Sequence, residues 1–187
     1  MPCIAPIDPN NATGRAKELL DGVQAALGAT PNLLRTMAQS PAVLDAYLGL
    51  SKALSSGTLS AALREHIALT VAGANHCDYC ASAHTLLGRN AGVAEDELAS
   101  NLQGRSSDPH TQAILTLAQA IVAKRGFVSD QDLTGARRAG VNDAEITEVI
   151  AAVAVNTFSN YFNHVARTEV DFPHVSAGEA EATAAAA

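Results

Sequence analysis

Apolar residues recur three and four positions apart along most of this chain, and the alternation of apolar and polar residues that marks a strand is nearly absent. Ile114, Leu117, Ala118, Ile121 and Val122 form one such stripe. Ile146, Val149, Ile150, Val153, Phe158, Tyr161, Phe162 and Val165 form a longer one. That spacing places each set on one face of a helix. Thr30-Pro31, Ser40-Pro41 and Asp108-Pro109 each put a capping side chain before a proline at the first helical position, where the missing N–H costs nothing. Gly28, Gly92, Gly104, Gly126 and Gly140 follow apolar-periodic segments as helix-ending glycines do. Asn142 with Glu145 forms a capping box before the last stripe. The pattern predicts helices over 14–27, 31–38, 41–54, 60–74, 77–89, 95–103, 109–124, 130–138 and 143–167, an all-α chain of one domain.

Helix 60–74 has no clear polar face, with Leu59, Leu63, Ile67 and Val71 on one side and Ala62, Leu69, Ala72 and Gly73 over much of the rest. It should be buried on most sides. NAGVAEDEL (Asn90 to Leu98) and RAGVNDAEI (Arg138 to Ile146) share a pattern, which reads as one helix-to-helix connector used twice: a Gly that ends a helix, a Val that packs, and acids at the next positive helix end. The helical domain is expected over 1–174. Residues 175–187, ending SAGEAEATAAAA, are expected to be a disordered tail, because they offer little to bury.

At 187 residues the chain is long enough for one sizeable core. A formal charge of −7, with no Lys/Arg cluster to offset it, argues against a nucleic-acid surface. The first residues, MPCIAPIDPNN, lack a basic region followed by an apolar stretch, so they do not read as a secretory signal. The longest clean apolar run, Val149 to Val155, falls well short of the roughly 20 residues of a membrane span. A cytoplasmic protein is expected. There structural disulfides are rare, so a Cys-x-x-Cys pair points to catalysis or metal binding rather than a staple. Cys3, alone in a Pro-rich terminus, reads as an incidental thiol.

Chemistry concentrates in REHIALTVAGANHCDYCASAH, where Glu65, Cys77, Cys80 and His84 form E-x11-C-x-x-C-x-x-x-H. Three and four residues are helical neighbour spacings, so Cys77, Cys80 and His84 fall in one row. His84, one turn beyond Cys80, is placed to take its proton. Glu65 can join them only if a helix, a short break and a second helix fold the chain back. Taken alone, a Glu in a buried helix reads as an ion-pair partner; the cysteines downstream turn it into a candidate proton shuttle. The helix start favours a thiolate at Cys77, Asp78 weakly opposes it, and His84 favours Cys80. The relay geometry points to Cys80 as nucleophile. His76 reads as an exposed side chain at the helix start. Asn156, Asn160 and Asn163, with Ser159 beside them, read as a hydrogen-bonded packing or subunit seam, and His164 is treated alike. Arg64, Arg89, Arg137 and Arg138 read as solvated charges.

The run ALREHIALTVAGANHCDYCASAHTLLGRNAGV (Ala62 to Val93) resembles the core signature of the alkylhydroperoxidase D-like branch of the carboxymuconolactone decarboxylase superfamily. TPNLLRTMAQSPAVL and EITEVIAAVAVNTFSNYFNHVA are similar to the peroxidase-related members, so the likeness covers most of the chain. The resemblance implies a helical homo-oligomer built from trimers, either a trimer or a hexamer. It also implies a thiol-dependent hydroperoxide reductase in which Cys80 attacks, Cys77 resolves, and His84 and Glu65 relay the proton. The partners it implies are a small hydroperoxide and a lipoyl-bearing protein or other dithiol reductant, and no cofactor is required because sulfur carries the two electrons. Tyr79 stands where some members have histidine, which counts against a second-imidazole mechanism.

Three rival readings share these residues. His76, Cys77, Cys80 and His84 are four ligands of the kinds that hold structural zinc, but such pairs normally close small loop folds, and this chain has helices enough without a staple. A lactone decarboxylase of the same superfamily would have no use for a dithiol. A redox-responsive binding protein would cycle once where an enzyme turns over.

Overall fold

A computed structural model describes residues 1–178. Among them the chain forms nine α-helices and no strand: α1 (Gly14–Leu27), α2 (Asn32–Met37), α3 (Pro41–Ser55), α4 (Ala61–Ala74), α5 (Asp78–Asn90), α6 (Glu95–Asn101), α7 (Pro109–Ala123), α8 (Asp130–Arg138) and α9 (Asp143–Ala166). Every predicted helix is present, with ends shifted by no more than two residues.

Local chemistry explains the boundaries. Asn142 accepts from the Glu145 N–H while the Glu145 carboxylate accepts from the Asn142 N–H, which is the expected capping box. Asp108 caps α7 by accepting from the Thr111 N–H. The other two predicted caps differ. The Ser40 side chain makes no cap hydrogen bond, and α2 starts one residue late with Pro31 at its N-cap, so Thr30 lies outside it. The five helix-ending glycines all have positive φ. The repeated connector is one structure used twice: Val93 N–H bonds to the Gly88 carbonyl and Val141 N–H to the Ala136 carbonyl, each across a glycine of positive φ.

Helix α4 is the central element, packed against α5, α6, α7 and α9. Ile67, Leu69, Val71 and Ala72 are fully buried. A Cβ at Gly73 would lie 1.9 Å from the Leu102 carbonyl oxygen, so the approach of the segment after α6 requires glycine there. The apolar surface of α4 is therefore covered within the subunit, as expected of a helix with no clear polar face. The large exposed apolar side chains of α9, namely Ile150, Phe158, Tyr161 and Val165, lie outside the core.

Two apolar clusters divide the interior. One joins α4, α7, α8 and the first half of α9 around Ile67, Ile114, Leu115 and Val149. The other joins α1, α2 and α3 to the start of α5 and includes Cys77, Tyr79 and Cys80, so the cysteine pair belongs to a hydrophobic core. After α9 the chain returns across α2 and α5. Asp171 accepts from the Asn32 N–H, Phe172 packs edge-on against Tyr79 at 5.5 Å, and the Val175 N–H bonds to Ser82 Oγ at 2.9 Å. The Ala177 N–H bonds to Asp78 Oδ1 at 2.8 Å, and Ala177 is buried. Residues 175–177, expected to begin the disordered tail, are thus anchored on α5 by backbone donors that find side-chain acceptors there. The rest of that expected tail, 179–187, lies outside the described residues. Among the described residues no helix is long and apolar enough to cross a membrane.

Candidate active site

The break between α4 and α5 is three residues, Asn75 to Cys77, and it reverses the chain. His76 takes a left-handed conformation with φ 53°, unusual for a residue with a Cβ. The Cys77 N–H then bonds to the Ala72 carbonyl at 2.9 Å. Folded back in this way, α5 brings His84 beside Glu65. His84 Nδ1 and Glu65 Oε2 are 2.7 Å apart, each side chain only 18% exposed. The carboxylate accepts from Nδ1–H, which leaves Nε2 for proton exchange. Glu65 therefore pairs with His84 and not with Arg64, whose guanidinium bonds to the Leu59 carbonyl.

Cys77 is the N-cap of α5 and Cys80 its third residue, both buried and both free thiols. Asn163 Nδ2 donates to Cys80 Sγ at 3.3 Å, and Ser159 Oγ lies 3.9 Å from the same sulfur. The one hydroxyl proton of Ser159 goes either to the sulfur or to the Asn156 carbonyl at 2.9 Å. Cys80 is held below the ordinary thiol range, first by the hydrogen bond from the Cys77 thiol and then, against the opposing effect of burial, by Asn163 and Ser159. Cys77 is pushed up, first because its proton is committed to Cys80 and then by burial. Hydrogen bonds to a charged group are worth about 1.5–3 kcal/mol each, against about 0.3–1 kcal/mol for a helix end. The donors, more than the helix dipole, favour a thiolate at Cys80.

All four residues singled out in the sequence come together, but not in the expected wiring. Cys80 and His84 line the same cavity, yet among the described residues no hydrogen bond joins them. The groups on the sulfur come instead from Cys77 and from α9. Asn156, Ser159, Asn160 and Asn163 are buried on one face of α9, and that face is turned to Cys80. The polar seam read as packing is thus part of the site. Its signal in the sequence was the i, i+3, i+4, i+7 spacing of polar residues inside an apolar helix; what it faced was not readable. His164, given the same reading, bonds through Nε2 to the Asn75 carbonyl at 2.9 Å.

The cavity has a volume of 250 Å³ and is walled largely by apolar side chains, among them Leu33, Leu34, Leu48 and Phe172. Tyr47, in the same wall, has its hydroxyl pushed up to about 12 by burial. Tyr79 also lines it; its hydroxyl accepts from the Leu33 N–H at 3.0 Å and is pushed up by burial, so it is a packing and bridging group. His76 is exposed. Among the described residues no group of three or more His, Cys, Asp or Glu side chains is placed to hold a metal ion. The set His76, Cys77, Cys80 and His84 is therefore not assembled as a zinc site.

Residues 41–107 match the Carboxymuconolactone decarboxylase family. No curated protein matches the chain. Among solved structures, the alkylhydroperoxidase AhpD core of an uncharacterized peroxidase-related protein from Ralstonia eutropha JMP134 is similar with a TM-score of 0.78 and 23% identity, covering 90% of this chain and 93% of that one. An uncharacterized peroxidase-related protein from Silicibacter sp. TM1040 is similar with a TM-score of 0.77 and 20% identity, covering 89% and 92%. A debrominase in complex with 2,3,4-tribromopyrrole is similar with a TM-score of 0.77 and 20% identity, covering 90% and 91%. The matched residues 41–107 hold Glu65, Cys77, Cys80 and His84, and as a whole the chain has the AhpD-like helical fold.

Proposed function

We propose that the chain is a thiol-dependent reductase of organic hydroperoxides. The observation that carries this reading is a buried Cys-x-x-Cys pair whose Cys80 sulfur accepts from Asn163 at 3.3 Å, at the wall of an apolar cavity that is also lined by His84, the partner of Glu65. A lactone decarboxylase has no use for such a pair.

The Cys80 thiolate attacks the terminal oxygen of the hydroperoxide. The S–O bond forms as the O–O bond breaks, sulfur is oxidised by two electrons, and the peroxide leaves as an alkoxide. The proton that Cys80 gave up, held on His84 with Glu65 balancing its charge, passes to the alkoxide to give the alcohol. Cys77 then attacks the Cys80 sulfenic acid, closing the disulfide and releasing water. A dithiol or lipoyl-type reductant reopens it by exchange. Free thiols of this kind suit a reducing, cytoplasmic compartment.

Repeated turnover of cumene hydroperoxide with dithiothreitol, one alcohol per disulfide cycle, is the expected result. A single stoichiometric oxidation with no turnover would make the pair a redox switch. Bromide release from 2,3,4-tribromopyrrole without peroxide turnover would assign the same thiols to reductive dehalogenation.

The reading includes a trimer or hexamer, supported by the exposed apolar row of Ile150, Phe158, Tyr161 and Val165 on α9, larger than a lone subunit needs. Light scattering should give three or six times the 19.2 kDa chain mass. A clean monomer at micromolar concentration would remove the assembly and leave the thiol chemistry intact.

A further inference from the structure

Two polar atoms on α9, close to the reactive sulfur, have no partner among the described residues, and the steps above use neither. Asn160 is fully buried; its Oδ1 accepts from Asn75 Nδ2 at 2.9 Å, and its own Nδ2 is unpartnered. Asn163, 5% exposed, gives Nδ2 to Cys80 Sγ, which leaves its Oδ1 unpartnered. With Asn160 Oδ1 accepting from Asn75 Nδ2, the free end of the Asn160 amide is the donor. Residues 159, 160 and 163 share one helix face, and Ser159 and Asn163 on that face already reach the sulfur. Buried amide groups are ordinarily satisfied, so one unused donor and one unused acceptor beside the same sulfur call for an explanation.

A neighbouring donor and acceptor match a single hydroxyl group, whose oxygen accepts from an amide N–H and whose proton goes to an amide carbonyl. The hydroxyl that this sulfur acquires is that of its own sulfenic acid. We propose that Asn160 and Asn163 form a seat for the oxygen that a hydroperoxide delivers to Cys80, an inference that rests on the peroxide-reducing reading. As the S–O bond forms and the O–O bond breaks, the terminal oxygen keeps its hydrogen and stays on sulfur. It accepts from Asn160 Nδ2 and donates to Asn163 Oδ1. The alkoxide departs on the cavity side with the proton from His84. When Cys77 later attacks, the S–O bond breaks and the seated hydroxyl leaves as water with the Cys77 proton. The seat thus stabilises the oxygen-transfer step and holds the sulfenic acid until Cys77 reaches it.

The test compares two reagents on one sulfur, in a Cys77→Ser background where the sulfenic acid cannot close to a disulfide. Cumene hydroperoxide delivers an oxygen to Cys80; iodoacetamide alkylates it and delivers none. With Asn160→Leu, which keeps volume, and Asn160→Ala, which does not, the oxidation rate should fall about tenfold relative to the alkylation rate of the same protein, the effect of one lost hydrogen bond to a charged or developing-charge group. Dimedone trapping should show a shorter-lived sulfenic acid in both. Taking the ratio within each protein cancels any change in the ionisation or exposure of Cys80, so a packing role for Asn160 would lower or raise both rates together and overturn the seat. An unchanged ratio would overturn it too. If the Cys77→Ser parent is alkylated but not oxidised by cumene hydroperoxide, the peroxide reading itself fails and the seat with it.

Discussion

Replacing Cys80 by serine is expected to abolish reduction of organic hydroperoxide and to leave no adduct with dimedone, because the one thiol that the surroundings favour as a thiolate is gone. Cys77 cannot substitute: its proton is committed toward position 80, and burial pushes its thiol up. Cys77→Ser should behave in the opposite way, reacting once with peroxide and stopping at a trappable sulfenic acid on Cys80. The pH profile adds a second readout. Since Cys80 is lowered, its alkylation rate should rise with pH and level off with a midpoint below the ordinary thiol value of about 8.5. Cys77→Ala, which removes the largest of the donors and cannot replace it, should move that midpoint upward; Cys77→Ser, which keeps a hydroxyl, should move it less. An adduct on Cys77 in the Cys80→Ser protein, with none on Cys80 in the Cys77→Ser protein, would exchange the two roles.

Glu65→Gln should slow peroxide reduction by about 10²-fold, the usual size of lost general acid–base help, with helix content unchanged by circular dichroism. The amide keeps the side chain's size and can still accept from His84 Nδ1–H, but it cannot balance the charge that the ring gains on taking a proton. His84→Ala should cost about as much, and combining the two should add little, since they act as one unit. The structure alters what the pH dependence of His84→Ala should be. With the imidazole simply stripping Cys80 of its proton, high pH would rescue the variant. With Cys80 already favoured as a thiolate by Cys77 and Asn163, the loss falls on protonation of the departing alkoxide, and high pH should give no rescue. Full recovery at high pH would return His84 to the simpler role. Unchanged activity of Glu65→Gln would make the Glu65–His84 pair structural.

Asn163 shows why part of the site was hidden in the sequence. Its identity and its row with Asn156 and Asn160 were plain, but a polar row in an apolar helix only says that something polar must face it. Whether that is a neighbouring helix, another subunit or a reactive sulfur depends on how α9 crosses α5, a contact between residues 83 positions apart. Phe172 and Val175 were hidden for the same reason, because extended segments carry no periodic signal and find their acceptors on distant side chains.

What the sequence determined by itself is local. Spacing of three and four residues, prolines at helix starts and glycines at helix ends set the nine helices, because each depends on hydrogen bonds and side-chain contacts within a few residues. The same locality put Cys77, Cys80 and His84 on one helix and identified Glu65 as their partner through a single short break. The contact between Cys77 and Cys80 is local too, and tertiary structure decided what surrounds it. The donors from α9 on Cys80, the covering of α4 and the apolar cavity in front of the thiol all arise from packing between elements far apart in the chain, where long-range geometry rather than residue type sets the energy.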